Sequence, residues 1–279
     1  LYTAATSTGV DLILDENANV VFNPLGGFHH ASRSHSEGFC YVNDIILAID
    51  RILARGFRVA YVDIDAHHGN GVQDAYYNDD RVLTVSLHQT GKTLYPWSGF
   101  ENEIGEGIGQ GYTVNVPLPE NTDDEAFERI FKRVVTPAVE MFAPSVVVAV
   151  IGADTHKADP LAQLSLTNNG METALTLIRE YSNHLLLLGG GGYDEKTTAQ
   201  AWCRMRAAAN RIESLPDYML VIGGTFLGGE EIQGSEIVDM SYRESGKKKT
   251  EILEELERIA VFHEKTTFPV LKKSLGAAS

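Results

Sequence analysis

Cysteine is almost missing from this chain: Cys40 and Cys203 are the only two, and neither sits in a CxxC pair. A disulfide framework has nothing to build on, and a reducing, cytoplasmic setting is expected. Long hydrophobic runs are missing too. No stretch approaches the roughly 18 apolar residues of a membrane span, so no membrane partner is expected, and no signal peptide is visible. Positive charge is short: 23 Lys and Arg face 38 Asp and Glu, for a net charge of −15. Duplex nucleic-acid binders are usually basic, so direct nucleic-acid recognition is not expected. The acid excess reads first as solubility charge, although such a surface would also attract cationic substrates such as lysine peptides or polyamines. An initial methionine is lacking as well. The chain opens on Leu1 within what reads as a helix, so further N-terminal sequence, able to hide a leader, is expected.

What is present is apolar residue in quantity, 43 % of 279 residues, enough for a large α/β core. The pattern alternates. Helix is expected over 1–16, 41–55, 71–77, 123–142, 168–182, 195–212 and 250–265, and strand over 19–23, 58–64, 81–87, 112–118, 145–151 and 184–188. Thr122 is the expected cap of the helix from 123, with Pro137 kinking it. The lysines 247–249 read as a solvated face. Residues 90–111, rich in glycine and aromatics, read as a long functional loop. Their glycines superficially match a dinucleotide fingerprint, but no helix follows them. Alternating strands and helices predict a single domain over 1–279, with a mostly parallel sheet covered on both faces. Residues 213–279, where the pattern weakens, would be a C-terminal extension of it. Right-handed crossovers put every strand's carboxyl end on one edge. The polar clusters at 63–70, 152–159 and 189–193 should converge there.

The stretch 62–71, VDIDAHHGNG, organises the chemistry. Asp63, Asp65 and His67 alternate, so extended backbone would point all three one way. Buried carboxylates are costly without a compensating cation, and carboxylate plus imidazole suits zinc, iron or manganese. Asp154, at another strand end, is the best third ligand. The bland reading is that these residues cap loop backbone. His29 and His30 follow a Gly-Gly pair and suit a base and an acid for amide hydrolysis, with Asp63 and Asn70 orienting them. Tyr193 follows four glycines. No Lys-Ser/Thr comes after it, so a phosphate loop fails; the phenol is either core or an oxyanion donor. Phe39 and Tyr95 are either packed or walls of a narrow apolar channel. His68 reads as a structural neighbour, and His156 and Asp159 as shapers of the rim.

Together the motifs GGFHHA (26–31), EGFCYVNDI (37–45), VDIDAHHGNG (62–71), VSLHQTG (85–91), GADTHKADPL (152–161) and LGGGGY (188–193) resemble the zinc-dependent histone deacetylase family, in the class I-like branch with bacterial members. The likeness covers about residues 10–210. It implies an arginase–deacetylase fold. It also implies Zn²⁺ on Asp65, His67 and Asp154, with Fe²⁺ an alternative. His30 would act as base and acid, His29 with Asp63 would tune it, and Tyr193 would polarise the amide. Phe28, Gly38, Phe39, Tyr95 and Leu161 would line an acyl-lysine tunnel. Structural K⁺ is implied at Asp63, Asp65, His67, Ser86 and Leu87, and again at Tyr76, Asp79, Val82 and Tyr112. Asn70 stands where eukaryotic class I members commonly have Asp, and Tyr95 where Phe is usual. The family's N-terminal strand and rim carboxylate would lie in a part absent here.

The expected activity is removal of acetyl or other acyl groups from lysine side chains in a protein or peptide. An acetylpolyamine or small-amide deacetylase is the alternative, against which Leu161 argues at a position where polyamine-selective relatives place an acid. An inactive acyl-lysine-binding pseudoenzyme is the alternative from another class. An arginase-type two-metal hydrolase would need more carboxylates than are found.

Overall fold

The computed structural model describes residues 1–212 and 239–277. Residues 213–238, where the expected extension begins, lie outside the described residues. Six strands form one sheet among the described residues: β1 (Val20–Asn23), β2 (Val59–Asp63), β3 (Val82–Gln89), β4 (Thr113–Leu118), β5 (Val146–Val150) and β6 (Leu185–Leu188). Their order is β1-β6-β5-β2-β3-β4, and every neighbouring pair is parallel.

Side-chain alternation along the strands builds two cores. Val59, Tyr61, Val146, Val148 and Val150 pack with α1 (Tyr2–Leu14), α2 (Asp44–Ala54) and α3 (Asn70–Tyr76). Ala60, Val62, Val147 and Ala149 face the other way. They meet α4 (Asp124–Ile130), α5 (Thr136–Phe142), α6 (Asn168–Arg179), α7 (Glu195–Ala209), α8 (Gly246–Phe262) and α9 (Phe268–Ala277). Strands buried on both faces have no polar alternation to show, which is why they read as continuous apolar runs.

The strand order fixes where a site can form. After β2 the chain moves outward to β3 and β4. After β5 it moves the opposite way, to β6. A crevice therefore opens between the carboxyl ends of β2 and β5, the usual place for ligands in such sheets.

Three local expectations need correction. Thr122 does not cap α4; its hydroxyl donates to the Pro119 carbonyl at 2.7 Å, and Asp123 accepts the Ala126 N–H at 3.0 Å instead. The helix expected over 123–142 is interrupted by a wide turn, Phe131–Val135, in which the Thr136 N–H donates to the Phe131 carbonyl. Pro137 has no N–H and its ring would strike the carbonyl four residues back, so the ladder widens just before it. Lys249 is no solvated lysine. Its ammonium lies 2.6 and 2.7 Å from the two oxygens of Asp123, whose carboxylate is wholly buried. Lys247 and Lys248 do pair at the surface, with Glu251 and Glu244. The charged helix runs as α8, continues through a second wide turn, His263–Thr267, and ends as α9. No helix among the described residues is long and apolar enough to cross a membrane.

Candidate active site

Four strand ends supply the site. The loop after β1 carries Phe28, His29 and His30. It is held from below by Asp44 at the start of α2, whose buried carboxylate accepts the N–H groups of Gly27 and Phe28 at 3.0–3.2 Å. The end of β2 carries Asp63, Asp65 and His67; the end of β5 carries Asp154; the end of β6 carries Gly189–Gly192 and Tyr193. The three polar clusters do converge.

Asp65, His67 and Asp154 are buried, with one donor atom from each within 4.8 Å of the others. His67 Nδ1 lies 2.9 Å from Asp154 Oδ2 and 3.1 Å from Asp65 Oδ1. The Gly191 N–H donates to Asp65 Oδ2 at 2.6 Å and the Ala66 N–H to Asp154 Oδ1 at 2.9 Å. A Cβ on Gly191 would fall 2.2 Å from Asp154 Oδ2, so only glycine lets this backbone reach the carboxylates. Burial and the Asp65 charge push Asp154 up to about 7. Burial pulls His67 down, but Asp154 and Asp65 outweigh it and hold it at about 10. Such a set fits a divalent cation. Two buried carboxylates against one imidazole carry more negative charge than burial tolerates, and oxygen and nitrogen donors suit zinc or iron.

The histidine pair lies beside this triad. His29 Nδ1 donates to Asp63 Oδ2 at 2.8 Å, where the Tyr61 hydroxyl also donates. His30 Nδ1 donates to Asn70 Oδ1 at 2.7 Å, and the two Nε2 atoms are 3.2 Å apart. Burial opposes a charge on His29, but Asp63 and Asp65 raise it to about 8. Burial and the neighbouring His29 charge drive His30 down to about 2. Of the two, His29 therefore carries a positive charge more readily than His30.

Asp63 stands behind the triad rather than in it, one step from the reading that pointed all three β2 side chains at a single ion. Asp63 and Ser86 are register partners on β2 and β3, and Ser86 Oγ hydrogen-bonds His88 at 2.8 Å. The second residue set proposed for potassium has its side chains engaged elsewhere. The Tyr76 hydroxyl donates to Asp50, Asp79 pairs with Arg81, and the Tyr112 ring packs on Phe142, while Val82 opens β3.

A cavity of ≈ 350 Å³ reaches the triad, lined by Phe28, His29, His30, Gly38, Phe39, Asp65, His67 and Tyr193, with Trp202 and Leu25 beyond. Gly38 has φ +52, and a Cβ there would strike the His30 ring. Phe39 is 82 % exposed at the mouth. The Tyr95 ring crosses His30 edge-on at 5.1 Å, and its hydroxyl donates to Glu37 at 2.8 Å. Leu161 stands outside the lining, on the turn after Asp159. Burial and the carboxylates of Asp65, Asp154 and Asp159 push Tyr193 up, so its phenol stays protonated. His68 is indeed a neighbour, bonded to Ser98 and Gln73. Sequence reasoning missed Asp44, Glu37 and Trp202. Glu37 and Asp44 did lie in the EGFCYVNDI motif, with no role given to either; Trp202 left no signal.

Residues 1–209 match the model of the histone deacetylase domain. Human histone deacetylase 1 is 42 % identical over 216 residues, which is 76 % of this chain and 45 % of that protein. Histone deacetylase 6 of Arabidopsis thaliana is 40 % identical over 219 residues, 78 % of this chain and 46 % of that one. The chain spans less than half the length of these curated relatives. A solved histone deacetylase homologue complexed with SAHA matches with a TM-score of 0.78 and 32 % identity, over 93 % of this chain and 72 % of that chain. A homologue from Aquifex aeolicus matches at 0.75 and 31 %, over 92 % and 72 %. With this sheet, these helices and a domain match of that extent, the chain belongs to the histone deacetylase family and has its α/β fold.

Proposed function

We propose that the chain removes acetyl or other acyl groups from lysine side-chain amides in a protein or peptide. One observation supports this most: a buried donor triad, a hydrogen-bonded histidine pair and a protonated phenol meet at one cavity. Asp65, His67 and Asp154 would hold Zn²⁺, with Fe²⁺ an alternative for the same donors. When bound, such an ion supplies Lewis-acid polarisation of the amide carbonyl and brings the pKa of a water toward about 7. His30 has Nδ1 committed to Asn70. Its Nε2 is therefore the atom that takes the attacking water's proton and returns it to the departing lysine nitrogen. His29, fixed by Asp63, keeps positive charge beside it. The Tyr193 hydroxyl donates to the carbonyl oxygen as that oxygen gains charge. Phe28, Gly38 and Phe39, which line the cavity, would flank the alkyl chain, while Tyr95 and Leu161 stand outside that lining, Tyr95 against the His30 ring. Structural K⁺ at Asp63, Asp65, His67, Ser86 and Leu87, partly through backbone oxygens, belongs to the same proposal, as does a second site involving Tyr76, Asp79, Val82 and Tyr112.

The test is turnover of acetyl-, lactoyl- and longer acyl-lysine peptides and of acetylspermidine, with and without chelator. At least one peptide should be hydrolysed, with loss on chelation and recovery on adding Zn²⁺ or Fe²⁺. Turnover of acetylspermidine alone would move the assignment to a small-amide deacetylase. Peptide binding without turnover by metal-loaded protein would make the chain an acyl-lysine-binding pseudoenzyme.

A further inference from the structure

The loop that carries Asp154 runs on into a turn, 156–162, whose Asp159 helps to keep the Tyr193 phenol protonated but touches no reacting atom in the mechanism above. Asp159 is buried, at 8 % exposure. Its two oxygens are split between two strand-end loops. Oδ2 accepts the Tyr193 N–H at 2.9 Å, and Oδ1 accepts the Leu161 N–H at 2.8 Å. The turn itself is anchored from its far side. The Asp159 N–H donates to the His156 carbonyl at 2.9 Å, and His156 Nδ1 accepts the Ala158 N–H at 3.1 Å. His156 Nε2 in turn donates to Asp239 at 2.8 Å. Asp239 also accepts the Asn168 N–H at 2.9 Å, at the start of α6. An anchored carboxylate fixes its partner rather than following it.

Tyr193 needs such a fixture. It ends a run of four glycines, two of them at positive φ, so no side chain between Leu188 and Tyr193 packs to hold the backbone. Tyr193 is 41 % exposed, too open to be located by packing alone. We propose that Asp159 is the positioning residue for Tyr193: its carboxylate fixes the tyrosine backbone so that the hydroxyl enters the cavity, and it sets the Leu161 turn beside it. A carboxylate suits this better than an amide. Asparagine has one acceptor oxygen, and its NH₂ would face one of the two N–H groups.

The kinetic part of this inference rests on the proposed amide hydrolysis; the spectroscopic part does not. Protein carrying 3-fluorotyrosine gives a ¹⁹F resonance for each tyrosine, and the one missing from Tyr193→Phe belongs to position 193. Asp159→Ala should shift or broaden that resonance, Asp159→Asn should do so less, and metal content should match wild type in both. On an acyl-lysine peptide, Asp159→Ala should lower kcat about 10–100-fold with KM little changed, as for a displacement of about 1 Å in a reacting group. In a Tyr193→Phe background the same change should cost less than about threefold. An unmoved ¹⁹F resonance in both variants overturns the proposal. So does an equal loss in the two backgrounds, because Asp159 would then act independently of the phenol. A wild-type protein inactive on every peptide fails the hydrolase reading instead, and the ¹⁹F comparison still decides the positioning role.

Discussion

A phenol whose ionisation is opposed by burial and three nearby carboxylates remains a donor through the neutral range. Tyr193→Phe removes that O–H and little else. It should lower kcat on an acyl-lysine peptide about 10²–10³-fold, the usual cost of one oxyanion donor, while elemental analysis finds wild-type metal content. Metal loss in that variant would mean that the phenol shapes the site instead of polarising the substrate. Asp154→Ala should behave in the opposite way, losing metal on dialysis that the wild type survives; full occupancy would remove Asp154 from the ligand set. These positions could be singled out in the sequence because each is a polar side chain at the end of an apolar run. Asp159 could be read only as a shaper of the rim. Its function is a bond to a backbone N–H in a segment 34 residues away, and a backbone amide leaves no mark in a sequence. Glu37 and Tyr95 show the same limit: their contact spans 58 residues of chain.

The strands were legible because buried parallel strands are short apolar runs ending in polar residues, as SVVVAVI before Gly152-Ala153-Asp154 does. The helix over 124–142 was legible in its apolar stripe, but the stripe continues through the wide turn at Phe131–Val135. Periodicity therefore does not report which carbonyl each N–H reaches. Charge runs mislead more seriously. Lys247, Lys248 and Lys249 are indistinguishable by composition, yet only Lys249 faces the fully buried Asp123. That carboxylate also accepts the N–H groups of Ala126 and Glu244, tying the start of α4 to the approach to α8. Lys249→Met would leave the carboxylate buried with no cation, at a cost of about 3 kcal/mol. Lys248→Met, at the surface, should stay within about 0.5 kcal/mol. Urea unfolding of the two variants checks this, and equal midpoints would remove the clasp. Adding Asp123→Asn to Lys249→Met should recover much of the loss, because the orphaned charge goes with it.

Strand order was not legible from local pattern, with one exception. If Asp65 and Asp154 share an ion, β2 and β5 must be neighbours, and they are. A shared ion would thus account for the centre of the sheet, while its edges follow from packing between segments far apart in the chain. The C-terminal helices show how far that packing reaches. His263, on the wide turn between α8 and α9, is buried against β4, with Nε2 donating to the Asn115 carbonyl at 2.8 Å and Nδ1 bonded to Thr267 at 2.9 Å. Burial drives its pKa down from 6.5 to about 4, against the smaller opposing pull of the Asn115 carbonyl and the Glu101 charge. The unfolded chain therefore takes up a proton, between pH 6.5 and 4, that the folded chain refuses. The resulting stability is complete above about pH 6.5 and is lost as pH falls toward 4, to a limit of about 3 kcal/mol. His88 is pushed down in the same way, so the wild-type curve alone does not isolate the effect. His263→Gln keeps a donor for the Asn115 carbonyl and cannot titrate. Its urea midpoint should lie below wild type at pH 7, and the gap should narrow steadily toward pH 4.5. Parallel curves would mean that His263 takes up its proton in the folded protein as readily as in the unfolded chain, and that this helix junction is open to water.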